Sequence, residues 1–185
     1  MKVTETHLKG CFIIEPQVFV DERGYFFESF HKEKFQQLTN IEVDFLQDNE
    51  AFSNRGVVRG LHFQKGQYAQ AKLIRVVKGK VLDIAVDLRS GSKTFGKYFS
   101  IILSEENKKQ LFIPRGFAHG YAVLEDNTLF SYKCDNYYNK ESECGVIYND
   151  KDLQIDWMLE ENEIQLSEKD IKLTNFKTIF ERFKI

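Results

Sequence analysis

The stretch from Lys72 to Leu88, KLIRVVKGKVLDIAVDL, restricts the fold of this chain more than any other segment. Val, Ile and Leu recur near every second position, which is the period of a β-strand that buries one face. Gly79 stands near the middle, where a tight turn between two strands favours a residue without a Cβ atom. The stretch therefore predicts a pair of strands.

Further short apolar runs predict additional strands, and clusters of Gly or Asn/Asp separate most of them. These runs are Lys97–Leu103, Gln110–Ile113, Tyr121–Leu124 and Leu129–Lys133. Many short strands at close spacing are typical of a sandwich or of a barrel of the jelly-roll kind. We therefore predict a mainly β fold.

Helical signals lie at the edges of the sequence. His31–Leu38 predicts a short helix of about two turns. Near the C-terminus, Phe176, Ile179, Phe180 and Phe183 follow the spacing i, i+3, i+4 and i+7, which forms one apolar stripe on a helix. Such a stripe usually serves burial, so we expect it to pack against the barrel or against a second subunit.

The length and composition predict a single domain. The chain has 185 residues and no Ser/Gly-rich linker or internal repeat. We place the barrel core at about residues 45–150 and expect the segment 160–185 to pack on it. The net charge of −2 provides no general attraction to nucleic acid or to an anionic membrane.

The cysteines and the N-terminus point to a cytoplasmic protein. Cys11, Cys134 and Cys144 are odd in number and lack C-x-x-C spacing, so we expect reduced thiols. We find no signal peptide and no stretch of 18 apolar residues, and therefore expect no membrane span.

His62 is a candidate general base in the segment RGLHFQ. It lies between Leu61 and Phe63, so the alternation of a strand places it on the face opposite to these apolar neighbours. Arg59, three positions away, leans toward the other face unless the chain bends at Gly60. A histidine that faces a barrel cavity suits proton transfer near neutral pH, although a buried structural histidine fits the residues equally well.

A metal site of the usual barrel kind lacks its ligands here. Such sites combine His-x-His with a later Glu and a distant His. Gln64 stands where the second histidine is needed, and only His119 supplies a distant partner. We therefore expect no metal. Lys72, Tyr132, Arg23 and Arg59 carry no specific signal when each is taken alone, because lysines cap strands, tyrosines fill cores and single arginines are common.

Taken together, several ordered motifs resemble the dTDP-4-dehydrorhamnose 3,5-epimerase family of cupin-type enzymes. The resemblance runs from about Glu15 to Asp170. It rests on DERGYFFESF, FLQDNEAFS, GVVRGLHFQ, AQAKLIRVVKGKVLDIAVDLR, FIPRGFAHGYAVL, YKCDNYY and LSEKD, in that order. The resemblance implies a cupin-type jelly-roll β-barrel with short peripheral helices and a C-terminal helix, acting without cofactor or metal.

The resemblance also implies an activity and a set of site residues. The family inverts C3 and C5 of dTDP-4-keto-6-deoxyglucose, giving dTDP-4-keto-L-rhamnose through an enolate. By this match His62 is the base, Asp170 orients it, Tyr132 is the acid and Lys72 stabilises the enolate oxygen. The substrate-binding residues implied are Arg23, Glu28, Gln47, Asp48, Asn49, Arg59, His119, Tyr138, Glu143 and Lys169. The family is dimeric, and Arg23 and Glu28 would reach the nucleotide of the neighbouring subunit.

Other readings remain open at this point. A single-centre 3- or 5-epimerase acting on another nucleotide-linked 4-keto sugar would use the same base and acid. A non-catalytic sugar-nucleotide-binding cupin and a metal-dependent cupin oxygenase are more remote. The sequence departs from the family after Asp170, where KLTNFKTIFERFKI continues as an amphipathic helix, and at Cys144, where glycine is common.

Overall fold

Two facing sheets and one separate hairpin organise the chain in a computed structural model, which describes residues 1–183 and side chains as far as Glu181. The strands are β1 (Lys2–Glu5), β2 (Phe12–Glu15), β3 (Val18–Asp21), β4 (Gly24–Phe27), β5 (Gln47–Ser53), β6 (Val58–Gln64), β7 (Lys72–Lys78), β8 (Lys80–Asp87), β9 (Tyr98–Ser104), β10 (Gln110–Ile113), β11 (Phe117–Val123), β12 (Thr128–Cys134) and β13 (Glu143–Gly145).

The helices are few and lie outside the sheets. They are α1 (Lys32–Thr39), α2 (Glu168–Ile171), α3 (Phe176–Phe183) and three short 3₁₀ turns at Gly66–Tyr68, Lys140–Ser142 and Glu161–Glu163. α1 begins after His31, whose ring accepts a hydrogen bond from the backbone of Lys34, and ends at Asn40 in the left-handed conformation. Among the described residues, no helix combines the length and apolar character needed to cross a bilayer.

The two sheets are antiparallel throughout. One has the order β1-β2-β10-β7-β12-β5, and the other has the order β13-β6-β11-β8-β9. Consecutive strands such as β7 and β8 therefore belong to opposite sheets, as in a jelly roll. The mainly β, cupin-type fold predicted from the sequence is confirmed.

Strict alternation in β8 explains how its apolar run serves two cores. Val81 and Ala85 point into the barrel interior, whereas Leu82, Ile84 and Val86 pack on the outer face of the five-stranded sheet. Both faces are covered, so the strand is apolar almost throughout.

Two outer layers cover the sheets. The segment that follows β13 packs on the five-stranded sheet through buried Leu153, Trp157 and Ile179. Phe95 contacts Phe180 of α3, with ring centroids 4.9 Å apart. On the other sheet, Phe35 of α1 packs edge-to-face on Phe112 at 4.9 Å. The predicted apolar stripe includes Phe183, whose side chain lies outside the described part of the chain, as do residues 184–185.

The hairpin of β3 and β4 stands apart from both sheets. Within the described residues, the two strands pair only with each other. Phe19, Val20, Tyr25 and Phe26 on this hairpin are all more than half exposed. A two-stranded hairpin is at best marginally stable alone in water, so this apolar surface is suited to contact with another molecule.

Several predicted elements are confirmed with small shifts of their ends. The two strands predicted for Lys72–Leu88 form β7 and β8, but they lie in opposite sheets and do not pair with each other. The predicted short helix forms α1, and Gln110–Ile113 is β10. Tyr121–Leu124 covers only the second half of β11, because His119 and Gly120 interrupt the apolar pattern before it. The strands β1–β5 were not predicted from the sequence, whereas the alternation assumed around His62 corresponds to β6. β1 and β2 extend the six-stranded sheet although they precede the expected core range.

A buried carboxylate fastens the loop after β8. Asp87 is fully buried and accepts hydrogen bonds from the backbone and side chain of Arg89 and from the hydroxyls of Ser92 and Thr94, at 2.6–3.0 Å. Burial alone would raise its pKa, but these hydrogen bonds outweigh it and lower the pKa to about 2.

Replacing Asp87 by Asn should destabilise the fold in a pH-dependent way. The folded pKa of Asp87 lies below its unfolded value, so this carboxylate contributes stability above about pH 4 and loses it as the pH falls toward 2. We expect Asp87→Asn to lower the free energy of unfolding by roughly 2 kcal/mol at pH 7 and by much less near pH 2. Urea unfolding at several pH values measures this.

The matched control is Asp21→Asn. Asp21 holds Arg23 in the same i, i+2 geometry but lies exposed on the hairpin, so its loss should leave the unfolding free energy unchanged. An Asp87→Asn effect that does not vary with pH would contradict the account of this carboxylate.

Candidate active site

A polar cavity of about 370 Å³ opens into the barrel. Strands of both sheets and the segment around α2 contribute to its walls. The lining residues are Asn49, Glu50, Ala51, Arg59, His62, Lys72, His119, Tyr121, Tyr132, Glu143, Ser167, Lys169 and Asp170.

Gly60 allows both Arg59 and His62 to face this cavity. Regular alternation would place residues three apart on opposite faces, but Gly60 adopts a φ of +119°. A Cβ atom at Gly60 would lie 2.6 Å from the Cα atom of Gly120 on β11. The chain thus bends at Gly60, and Leu61 still packs in the outer core.

His62 and Asp170 form a hydrogen-bonded pair. The Nε2 atom of His62 lies 2.5 Å from Oδ1 of Asp170, and Ser167 donates its hydroxyl to Oδ2 of Asp170 at 2.8 Å. Burial opposes ionisation of Asp170, but the hydrogen bonds from His62 and Ser167 hold its pKa below the ordinary value. Because an ionised carboxylate only accepts, Nε2 of His62 donates, and its Nδ1 atom is left unprotonated in the neutral ring.

Lys72 and Tyr132 come from the six-stranded sheet, which faces the sheet that carries His62. The Nζ atom of Lys72 lies 5.8 Å from the centre of the Tyr132 ring. Desolvation lowers the pKa of Lys72, and the nearby groups Cys134, Asp83 and Glu143 oppose this shift. Burial raises the pKa of Tyr132 to about 12, so its phenol stays protonated at neutral pH.

His119 is paired with a carboxylate that the sequence analysis did not select. Its Nε2 atom lies 3.0 Å from Oδ2 of Asp83, and both residues are buried. Desolvation lowers the pKa of His119, and Asp83 opposes that shift. The other oxygen of Asp83, Oδ1, has no hydrogen-bond partner among the described residues. An aspartate within the apolar run of β8 is the signal that could have identified it.

Charged and amide groups line the rest of the cavity. Glu143 forms an ion pair with Lys169 and accepts a hydrogen bond of 2.8 Å from the hydroxyl of Tyr138. Burial opposes ionisation of Glu143, but these two hydrogen bonds hold its pKa below the ordinary value. The guanidinium of Arg59 donates to the hydroxyl of Ser53 at 3.1 Å.

Five of the predicted site residues do not line the cavity. Gln47 and Tyr138 are linked to lining residues, since Gln47 donates to Asn49 at 2.9 Å and Tyr138 donates to Glu143. Asp48 points to the other face of β5, where it pairs with Lys133. Arg23 and Glu28 belong to the exposed hairpin region and pair with Asp21 and Lys34.

Gln64 connects two loops through hydrogen bonds to their backbone groups. Its amide donates to the carbonyl oxygens of Tyr68 and Tyr137, and its side-chain oxygen accepts from the backbone of Asn139. Gln64 therefore ties together two loops next to the cavity.

Four lining residues were missed by the sequence analysis: Glu50, Ala51, Tyr121 and Ser167. Ser167 precedes α2 as its N-cap, a position that the motif SEKD could have revealed. Tyr121 lies two residues after His119 and so shares its face of β11, which is a signal that the strand pattern carried.

Comparisons with known proteins agree with this geometry. A family model described as dTDP-4-dehydrorhamnose 3,5-epimerase matches residues 5–178. The dTDP-4-dehydrorhamnose 3,5-epimerase of Escherichia coli K12 is 48% identical over 173 residues, covering 94% of this chain and 93% of that protein.

Solved structures show the same fold. The crystal structure of dTDP-4-dehydrorhamnose 3,5-epimerase from Elizabethkingia anophelis has a TM-score of 0.92 and 56% identity, covering 96% of this chain and 97% of that chain. An epimerase from Legionella pneumophila, solved in complex with dTDP-4-keto-L-rhamnose, has a TM-score of 0.93 and 46% identity, covering 98% and 95%. The chain belongs to the dTDP-4-dehydrorhamnose 3,5-epimerase family.

Proposed function

We propose that this enzyme inverts C3 and C5 of dTDP-4-keto-6-deoxyglucose to give dTDP-4-keto-L-rhamnose. The observation that carries the proposal is the convergence of the His62–Asp170 pair, Lys72 and Tyr132 in one cavity. Membership of the epimerase family supports the same reaction.

The first step is removal of a proton next to the C4 ketone. Such a hydrogen is only weakly acidic, so its removal needs a base and a positive charge near the developing enolate oxygen. Nδ1 of His62 takes the proton, and Asp170 stabilises the imidazolium that forms. Lys72 offers a cation in the same cavity, where desolvation strengthens its interaction with an oxyanion.

The second step returns a proton to the opposite face of the same carbon. Tyr132 belongs to the sheet that faces the sheet of His62, so the base and the phenol approach the sugar from opposing walls. The phenol is protonated at neutral pH and can donate once the enolate has formed. Two such cycles, one at C3 and one at C5, complete the double inversion.

The remaining predicted residues are proposed to bind the rest of the substrate. Arg59 and His119 hold the pyrophosphate and the sugar, with Glu143 and Lys169 nearby. The linked polar side chains at the start of β5 read the thymidine, and Tyr138 stacks on the base. These thymidine-reading residues are Gln47 and Asn49, whereas Asp48 between them pairs with Lys133 on the other face of β5. The cavity contains Arg59, His119, Glu143, Lys169 and Asn49.

A homodimer would complete this site. The hairpin of β3 and β4 exposes apolar side chains to solvent, and we propose that a second copy of the chain buries them in a dimer interface. Arg23 and Glu28 would then reach the nucleotide in the neighbouring subunit. We further propose that residues 1–185 act as a single domain in the cytoplasm, where the free thiols of Cys11, Cys134 and Cys144 would remain reduced.

Replacing the base and the acid should have different consequences. His62→Ala removes the proton acceptor, so we expect product formation and exchange of substrate hydrogen with solvent to fall together by at least about 1000-fold. Tyr132→Phe leaves His62 able to remove a proton and return it to the same face. We expect this variant to lose product formation while it retains exchange, as measured by NMR in D₂O.

The controls are His7→Ala and Tyr137→Phe. Both residues are exposed and lie outside the cavity, so these variants should retain full activity. Unchanged turnover in His62→Ala would refute its assignment as the base. Loss of exchange in a folded Tyr132→Phe variant would show that the phenol acts before the enolate forms.

Mixed dimers test whether Arg23 acts across the interface. We expect Arg23→Ala homodimers to bind substrate weakly and His62→Ala homodimers to be inactive. Refolding the two variants together should restore one working site per mixed dimer, because the chain with an intact His62 then receives an intact Arg23 from its partner. Absence of any gain, with mixed dimers verified by mass, would place Arg23 outside the partner's site.

A further inference from the structure

Tyr121 adds a second phenol to the cavity, and the roles assigned above do not use it. It lies on β11, two residues after His119, and only 5% of its surface is exposed. Its ring stacks on Phe130 of the facing sheet, with centroids 3.9 Å apart and an angle of 15°. Phe130 also contacts the ring of Tyr132 at 5.9 Å. The stack therefore closes the barrel interior beside the proposed acid.

The neighbours of Tyr121 across the strands are charged. The pairing register places it opposite Arg59 on β6 and opposite Asp83 on β8. Burial raises the pKa of Tyr121 well above its usual value; Arg59 opposes the shift, and Tyr132 and Asp83 add to it. The phenol is therefore a neutral hydrogen-bond donor at any pH at which the enzyme would work.

The ring of Tyr121 is well packed, but its hydroxyl has no partner. Among the described residues, this hydroxyl makes no hydrogen bond to the protein, and Tyr121 lines the cavity. Phenylalanine would provide the same stack on Phe130 without placing a polar group inside the barrel. Because this hydroxyl is not sealed off from the cavity that Tyr121 lines, an oxygen of a bound ligand can accept its hydrogen bond.

We propose that the hydroxyl of Tyr121 donates a hydrogen bond to an oxygen of the hexose and so helps to select nucleotide sugars over the free nucleotide. This inference rests on the proposed function and deepens it. The position of Tyr121 favours contact with the hexose rather than with the nucleotide. Tyr121 and His119 are among the most buried residues of the cavity wall, and the rings of Tyr121 and Tyr132 both contact Phe130.

A role as a second proton donor fits the geometry less well. Tyr121 and His62 belong to the same five-stranded sheet, whereas inversion needs an acid on the wall opposite to the base. Tyr132 meets that requirement and Tyr121 does not. We therefore assign Tyr121 to binding and positioning.

The test compares two ligands that differ by the hexose. Calorimetry gives the dissociation constants of dTDP and of dTDP-glucose, which lacks the ketone and cannot react, for the wild-type enzyme and for Tyr121→Phe. We expect Tyr121→Phe to weaken dTDP-glucose binding by roughly tenfold and to leave dTDP binding unchanged, because one buried hydrogen bond is lost. The thermal transition should stay near that of the wild type, because the ring stack is kept.

A second variant separates packing from hydrogen bonding. Tyr121→Leu removes the stack on Phe130 and should lower the thermal transition, which Tyr121→Phe should not. Equal weakening of both ligands in Tyr121→Phe would place the hydroxyl at the nucleotide and overturn the inference. Unchanged binding of both ligands, with or without a loss of thermal stability, would also overturn it, since the hydroxyl would then make no contact with either ligand.

Two further outcomes distinguish a failure of the Tyr121 assignment from a failure of the proposed epimerase function. If the wild-type enzyme binds neither ligand, the proposed function fails and the inference fails with it. If Tyr121→Phe inverts only one of the two centres of the 4-keto substrate, the residue is an acid, and the assignment to binding is overturned while the proposed function stands.

Discussion

The close approach of β6 and β11 at Gly60 and Gly120 is the contact on which the cavity depends. A Cβ atom at Gly120 would lie 2.8 Å from the carbonyl oxygen of Arg59, and one at Gly60 would meet the backbone of His119 and Gly120 at 2.6–2.7 Å. Only glycines allow this separation without a shift of one strand. The bend that results turns Arg59 and His62 into the same cavity, while Leu61 keeps its place in the outer core.

Burial then sets the protonation states in the cavity. Desolvation raises the pKa values of the two phenols and lowers that of Lys72, a shift that Cys134, Asp83 and Glu143 oppose. The two histidines each face a carboxylate: Asp170 for His62 and Asp83 for His119. One cavity therefore combines proton acceptors and proton donors on opposing sheets, which is the arrangement that proton removal on one face and return on the other requires.

The fold was largely predictable where β-branched and other apolar residues form clear runs, and less so elsewhere. The run of β7 and β8 is rich in Val, Ile and Leu because both faces of β8 are buried. β5 escaped prediction because its outward residues are charged or exposed, as in QDNEAFS, and its assignment depends on pairing with β12. The strands of the exposed hairpin, VFVD and GYFF, are as apolar as core strands. Their sequence pattern therefore does not reveal that they are exposed.

Local patterns made His62 a candidate for a residue that faces a cavity, but its partner could not be found in this way. Asp170 lies 108 residues further along the chain, and only the fold brings the two together. The family resemblance supplied that pairing. Asp83 and Tyr121 were missed because each looks like an ordinary member of a strand until the cavity is known.

The central claim is that one cavity transfers protons at two carbons on either side of a ketone. The most direct measurement is incubation of the wild-type enzyme with dTDP-4-keto-6-deoxyglucose in D₂O, with the label located by NMR after a downstream reductase traps the product. The account predicts deuterium at both C3 and C5 of the product, with both centres inverted. Deuterium at only one of these carbons would contradict double inversion, and inversion without any label would contradict proton exchange with solvent as its basis.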